Sequence, residues 1–170
     1  MVALLFLLIQ LTFAGFMLYL LIAFVTGAPY VPSHMDRAKR MIALASLTKK
    51  SVIYDLGSGD GRLLFLAAGQ GAAAVGVEMN PYLVFYTKVK AFFSPYRNQI
   101  RVNWENLWKT NLRHADVVFV YLLPFRMGQL AAKLKKELKP GSLVITNSFI
   151  FPGWPILRQD SAHHVYVYQI

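Results

Sequence analysis

The 170-residue sequence contains no cysteine, so it offers neither a disulfide framework for an extracellular domain nor a thiolate metal site. Its histidines, at 34, 114, 163 and 164, have no metal-ligand spacing with carboxylates, and no serine sits in a nucleophile elbow. No metal is expected, and His163-His164 reads as a surface pair. Acids are scarce: 8 Asp and Glu stand against 18 Lys and Arg, a formal charge of +10. Such an excess attracts anionic surfaces, but no RNA- or DNA-binding module motif accompanies it. Membrane headgroups are therefore the expected anionic partner, and nucleic acid is not. No internal repeat or low-complexity linker is present.

Charge is also missing from Val2 to Val25, where Gln10 and Thr12 are the only clearly polar interruptions. At about 1.5 Å per residue, such a helix covers the roughly 30 Å hydrocarbon core. No basic residue precedes the run, and it exceeds the roughly 7–15 apolar residues of a cleaved signal. The expectation is one transmembrane anchor over 1–27. Arg37, Lys39, Arg40, Lys49 and Lys50 follow it, so the positive-inside rule puts the remainder on the cytoplasmic side of a single-pass protein, or the matrix side in an organelle.

Residues 28–50 read as a linker and an amphipathic lead-in helix. Ser33-His34-Met35-Asp36 has the S-x-x-D form of a capping box, and Ala38, Met41, Ile42 and Ala45 follow at helical spacing. Residues 51–170 remain for the functional domain, and the chain beyond the anchor is long enough to bury one core.

The most informative stretch is Val52-Ile53-Tyr54-Asp55-Leu56-Gly57-Ser58-Gly59-Asp60-Gly61-Arg62. A short apolar strand ends in an acid, and three alternating glycines turn the chain into a helix. Glycine permits positive φ and close approach of a ligand to the main chain. A dinucleotide fingerprint reads G-x-G-x-x-G, whereas here the third glycine comes one residue early. Asp55 would also repel a pyrophosphate, while suiting a cation such as the amino group of a methionyl moiety. Ala73 to Glu78 reads as a second buried strand ending in an acid, where Rossmann-like folds hold ribose hydroxyls. Asn80-Pro81 then supplies an N-cap and first-turn proline for a helix to about Phe93.

Three more parallel strands are expected. Ile100–Trp104 leads into Glu105-Asn106. Ala115–Tyr121 is continuous and β-branched, as a central strand should be, and runs into Leu122-Leu123-Pro124. Ser142–Phe149 follows an apolar stripe of Met127, Leu130, Ala131, Leu134 and Leu138 that ends at Lys139-Pro140-Gly141. Val165–Gln169 reads as an antiparallel strand closing the sheet.

The D-x-G-x-G-x-G pattern at Asp55–Gly61 resembles the first motif of class I S-adenosylmethionine (SAM)-dependent methyltransferases. The fold class is thus α/β, a Rossmann-like sheet with helices on both faces, preceded by the anchor. Further pieces resemble one branch, the lysine methyltransferases of adenine nucleotide translocase and the ATP synthase c-ring protein with their prokaryotic relatives. They are Tyr30-Val31-Pro32-Ser33, Gly76-Val77-Glu78-Met79-Asn80-Pro81, Asn106-Leu107-Trp108-Lys109 and Phe149-Ile150-Phe151-Pro152-Gly153-Trp154.

The resemblance implies SAM as cofactor, held by Asp55, Gly57, Ser58, Gly59, Asp60 and Gly61 on the methionyl side. It implies Glu78, Met79 and Asn80 on the ribose side and Glu105 or Asn106 at adenine, with Tyr30, Pro32 and Ser33 closing over the cofactor. The family usually has Asp where this chain has Asn106. The loop after the fourth strand faces the reacting methyl in that fold, and it carries no Asn-Pro-Pro-Tyr motif of adenine or glutamine amide methylation. A protein substrate is expected, with Tyr121, Pro124, Phe151 and Trp154 as candidates for the substrate entrance. The rival expectations are a lipid or quinone methyltransferase and a non-catalytic, membrane-tethered SAM-binding module.

Overall fold

The computed structural model describes residues 2–26 and 33–170, and within the first stretch the side chains of 2–18 and 21. The chain forms two compact units, Met1–Val31 and Pro32–Ile170.

The first unit contains α1 (Val2–Thr26). Leu4, Phe6, Leu8 and Phe13 project from it, each more than half exposed. Among the described residues no helix is long and apolar enough to cross a membrane. The expected anchor is therefore not supported by the fold.

The second unit runs α2 (Met35–Ala45), β1 (Val52–Leu56), α3 (Arg62–Gly69), β2 (Ala73–Glu78), α4 (Pro81–Phe92), β3 (Ile100–Trp104), β4 (Val117–Val120), α5 (Pro124–Glu137), β5 (Leu143–Asn147), β6 (Arg158–Asp160) and β7 (Val165–Gln169). The seven strands form one sheet in the order β3-β2-β1-β4-β5-β7-β6. β1 to β5 are mutually parallel, while β7 runs antiparallel to both β5 and β6. From β1 the chain steps outward to β2 and β3, then returns to place β4 on the other side of β1. The β1/β4 boundary is thus the switch point at whose carboxyl end open α/β sheets bind ligands.

Helix packing follows from strand alternation. Val117 and Phe119 of β4 join one buried cluster with Ala38, Met41 and Ile42 of α2, Leu64 and Ala67 of α3, and Val84 and Ala91 of α4. Val118 and Val120 point to the opposite face, where α5 turns in Met127, Leu130, Ala131 and Leu134. α2 shares the sheet's compact unit.

Three details differ from the sequence expectation. The capping box does not form: the N-cap of α2 is His34, with no side-chain cap bond. Ser33 is engaged elsewhere, its Oγ accepting from Asn147 Nδ2 at 2.8 Å. β4 and β5 are shorter than the apolar runs that announce them. Asp116 turns its side chain back to accept from the N–H of Val52 at 2.7 Å, and Ser148, at φ +67°, leaves the extended conformation that β5 needs. β6 has no hydrophobic signal. Its Asp160 is held by Arg40 of α2 and by the N–H of His163 at 3.1 Å, so the strand depends on a partner far away in sequence. His163 faces Asp160, and His164 takes a positive φ in the preceding turn rather than a strand position.

Candidate active site

The turn between β1 and α3 has the backbone that its glycines foretell. Gly57, Gly59 and Gly61 take φ of +85°, +54° and +76°, the left-handed region that side chains disfavour. The N–H groups of Gly57 and Ser58 both donate to Val77 O, at 2.8 and 3.1 Å, which stitches the turn to the end of β2. α4 fixes it from the other side, with Thr87 Oγ1 donating to Gly59 O at 3.1 Å. Gly76 on β2 leaves the room: a Cβ there would lie 2.6 Å from Ser58 Oγ and 2.7 Å from Leu64 Cδ1.

Three carboxylates converge on this turn. Glu78 spans it, with Oε2 accepting from Gly59 N at 2.9 Å and Oε1 from Asn80 N at 2.8 Å. Asp60 is ion-paired to Arg62 at 2.7 Å, and the hydrogen bond from that guanidinium holds its carboxyl below the usual range. Asp55, at the end of β1, is 6% exposed. Burial, then the charges of Glu78 and Asp60, push its carboxyl up to about 8. Among the described residues no group of three or more such side chains is placed to hold a metal ion. What the cluster suits is an organic cation, which would offset the burial, and then the repulsion, that raise Asp55. Ser58 Oγ is buried beside it without a hydrogen-bond partner.

Arg62 does a second job that the motif alone does not reveal. Besides gripping Asp60, it donates through Nη1 to Ser33 O. Asn147, 1% exposed at the end of β5, holds Ser33 Oγ, and Arg37 of α2 donates to Asn147 Oδ1 at 2.9 Å and Ser148 Oγ at 3.0 Å. Ser33 is thereby pinned across the carboxyl edge of the sheet. Tyr30 and Pro32, its expected companions, lie outside the described residues.

On the other side of β2, Glu105 donates its N–H to Glu78 O at 3.1 Å. Asn106 Oδ1 accepts from Trp108 N at 3.0 Å, so its side chain shapes the turn after β3. Met79 is partly exposed, with its carbonyl accepting from Trp104 Nε1 at 2.9 Å. Asn80 caps α4 through Oδ1, which accepts from the N–H groups of Tyr82 and Leu83.

The candidate entrance residues fall into two groups. Tyr121, just past β4, stacks on Phe149, just past β5, with ring centroids 6.2 Å apart and planes 21° apart. Pro124 opens α5 nearby in sequence and is exposed. Trp154 instead stacks on Phe151 at 4.7 Å and meets Tyr168 of β7 edge-on at 5.9 Å, with Lys135 Nζ of α5 5.2 Å from its ring centroid. Sequence reasoning does not single out Phe149 or Asn147 as site residues. Their one available signal is position at the carboxyl end of a parallel strand.

Comparison with known proteins places the chain among methyltransferases. The ANTKMT methyltransferase domain matches residues 55–158. The ATP synthase c-subunit lysine N-methyltransferase of Xenopus laevis is 35% identical over 126 residues, 74% of this chain and 55% of that protein. The protein-lysine N-methyltransferase of Saccharolobus islandicus is 31% identical over 156 residues, 87% of this chain and 97% of that protein. This chain spans little more than half the length of the matching ATP synthase c-subunit enzymes of Xenopus and mammals. Among solved structures, an RNA methyltransferase from Salinibacter ruber in complex with S-adenosyl-L-homocysteine superposes with a TM-score of 0.76 at 32% identity, covering 82% of this chain and 92% of that one.

Proposed function

The chain belongs to the ANTKMT methyltransferase family, with S-adenosylmethionine as its cofactor, and from that premise we propose that it methylates the side-chain amine of lysine on a membrane-associated protein. The observation that carries this reading is the archaeal protein-lysine methyltransferase aligned over 97% of its length.

In this reading Asp55 and the Gly57–Gly61 turn hold the methionyl part, Glu78 the ribose, and Glu105 or Asn106 the adenine. The cofactor supplies an electrophilic methyl on a sulfonium. The chain's residues must align the acceptor amine and keep it unprotonated. A free lysine has a pKa of about 10.4, and an apolar surround favours its neutral form. The Tyr121–Phe149 stack offers such a wall where β4 and β5 end, with Pro124 and Trp154 as further members of the entrance.

The test is to incubate the full chain, labelled SAM and membranes, then to ask where the label goes. Label lost on proteolysis, retained after lipid extraction and RNase, and recovered as methyl-lysine supports the proposal. The Salinibacter relative favours one specific alternative, and label released by RNase would replace lysine with RNA. Label in extractable lipid would favour a lipid or quinone acceptor, and no transfer at all a binding module. Tyr121→Ala is expected to lower turnover at least about tenfold while changing SAM affinity less than about twofold. Trp154→Phe, which keeps an aromatic ring against Phe151 and Tyr168, separates substrate contact from packing.

The same reading keeps α1 as a single-pass anchor with the catalytic unit on the cytoplasmic or matrix side. Its support is the sequence alone, an uncharged run from Val2 to Val25 followed by Arg37, Lys39 and Arg40. Carbonate-washed membranes should retain the full-length chain, and protease added to intact cells or mitoplasts should spare the domain. Release by carbonate would end the anchor proposal.

A further inference from the structure

α4 wears its large residues on the outside. At about 100° per residue, Tyr82, Phe85, Tyr86, Val89, Phe92 and Phe93 fall within a stripe about 120° wide. Its five aromatic rings are each more than half exposed, and Phe92 meets Phe93 edge-on at 5.2 Å. The opposite side, packed on the sheet, is Val84, Thr87 and Ala91. Single exposed apolar residues need no explanation, but a contiguous aromatic stripe does.

The charges along α4 and on into β3 are of one sign. Lys88 and Lys90 flank the stripe on its two sides, and Arg97 and Arg101 follow on the way into edge strand β3; all four are exposed. No acid occurs between Glu78 and Glu105. Lys90 Nζ sits 4.4 Å from the Phe65 ring centroid and 5.9 Å from that of Tyr86, keeping its charge at the margin of the stripe. Trp104, 69% exposed on β3, donates its indole N–H to Met79 O at the helix start. Between α4 and β3 lies an open cleft of about 320 Å³, where Lys88, Arg97 and Asn98 stand beside Phe92.

We propose that this α4/β3 face docks on an anionic bilayer surface, with the aromatic stripe at the headgroup level, the lysines and arginines on lipid phosphates, and the cleft taking one headgroup. Tyr and Trp favour that interface because one end is apolar and the other polar. A helix with an apolar stripe between basic margins lies in the interface plane. A second copy of the chain fits poorly, since a self-pairing face would oppose four cations with no acid among them. The surface is separate from the acceptor entrance, so the proposal goes beyond the lysine reading and depends on neither the acceptor nor α1.

The test adds full-length protein to nanodiscs of phosphatidylcholine alone or of phosphatidylcholine with phosphatidylglycerol. Hydroxyl-radical labelling of Tyr82, Phe85, Tyr86, Phe92 and Phe93 is then read by mass spectrometry. Labelling should fall at least about threefold further with anionic discs than with neutral ones. The Lys88→Glu, Arg97→Glu, Arg101→Glu triple variant should lose that difference while its SAM binding stays unchanged. If the variant fails to fold, high salt on the parent protein provides the same control. Protection equal in the two discs, absent from both, or growing with protein concentration at fixed lipid overturns the proposal. Whether the chain associates with neutral discs at all reports on α1, and the ratio between discs reports on α4, so the two membrane contacts fail separately.

Discussion

Asp55→Asn should weaken SAM binding by at least about tenfold, or 1.4 kcal/mol, and should flatten the dependence of that affinity on pH. In the free protein, burial and the neighbouring charges of Glu78 and Asp60 hold the Asp55 carboxyl at about 8. At neutral pH it is therefore mostly protonated, and a cationic ligand that needs the carboxylate must displace a proton. Affinity should accordingly rise from pH 6 toward 8, with a limiting slope of about tenfold per unit. Titration calorimetry in two buffers of different ionisation enthalpy should register the released proton.

The sign for stability is the reverse. A carboxyl whose pKa is raised by folding contributes stability below its unfolded value, near 4, and loses it as pH rises through about 8. The Asn variant lacks that loss, so it should resist denaturant better than the parent at pH 8 and about equally at pH 4. Glu78→Gln removes one of the two charges on Asp55 and should shift the affinity inflection downward while also weakening binding about tenfold. Parent-like affinity and pH dependence in Asp55→Asn would remove the methionyl assignment.

Much of this arrangement was readable from residues alone, for a physical reason. β1, β2 and β4 are central and parallel, so both faces are buried and each appears as a continuous apolar run. The glycine turn was readable because positive φ restricts which residues fit. The Asp55–Glu78 pairing followed from strands whose carboxyl ends share one edge. What stayed hidden depends on distant partners. Ser33 looks like a helix cap, but Asn147 and Arg62 recruit its hydroxyl and carbonyl from 114 and 29 positions away. β6 exists because Arg40 reaches Asp160, 120 positions on. Tyr121 gains its stacking partner only when β5 lies beside β4. α4 misleads in a different way. Asn80-Pro81 marks its start, but a segment apolar on most sides does not say which side is inward, and here Val84, Thr87 and Ala91 face the sheet while the aromatic stripe faces out.

Gly61→Ala should destabilise the whole domain and lose the cofactor in the same step. The residue sits at φ +76°, and an added Cβ would approach Thr87 Cγ2 to 2.5 Å and Phe65 Cε2 to 3.3 Å. Left-handed backbone costs alanine about 1–2 kcal/mol, and overpacking a fixed neighbour adds about 1–3 kcal/mol. Together these are a large part of the roughly 5–15 kcal/mol by which a domain is stable. Thr87 cannot simply retreat, because it is fully buried and its hydroxyl holds Gly59 O at 3.1 Å. Pushing it away would loosen the turn that carries Gly59 N to Glu78. Denaturation midpoint and SAM affinity should therefore fall together, and Thr87→Ser, which removes Cγ2 and keeps the hydroxyl, should restore part of both. The part not restored is the cost of φ, and a double-mutant cycle separates the two. A Gly61→Ala protein with the parent's midpoint would show that the turn is looser than its hydrogen bonds imply, and the cofactor assignment would then have to rest on Asp55 and Glu78 alone.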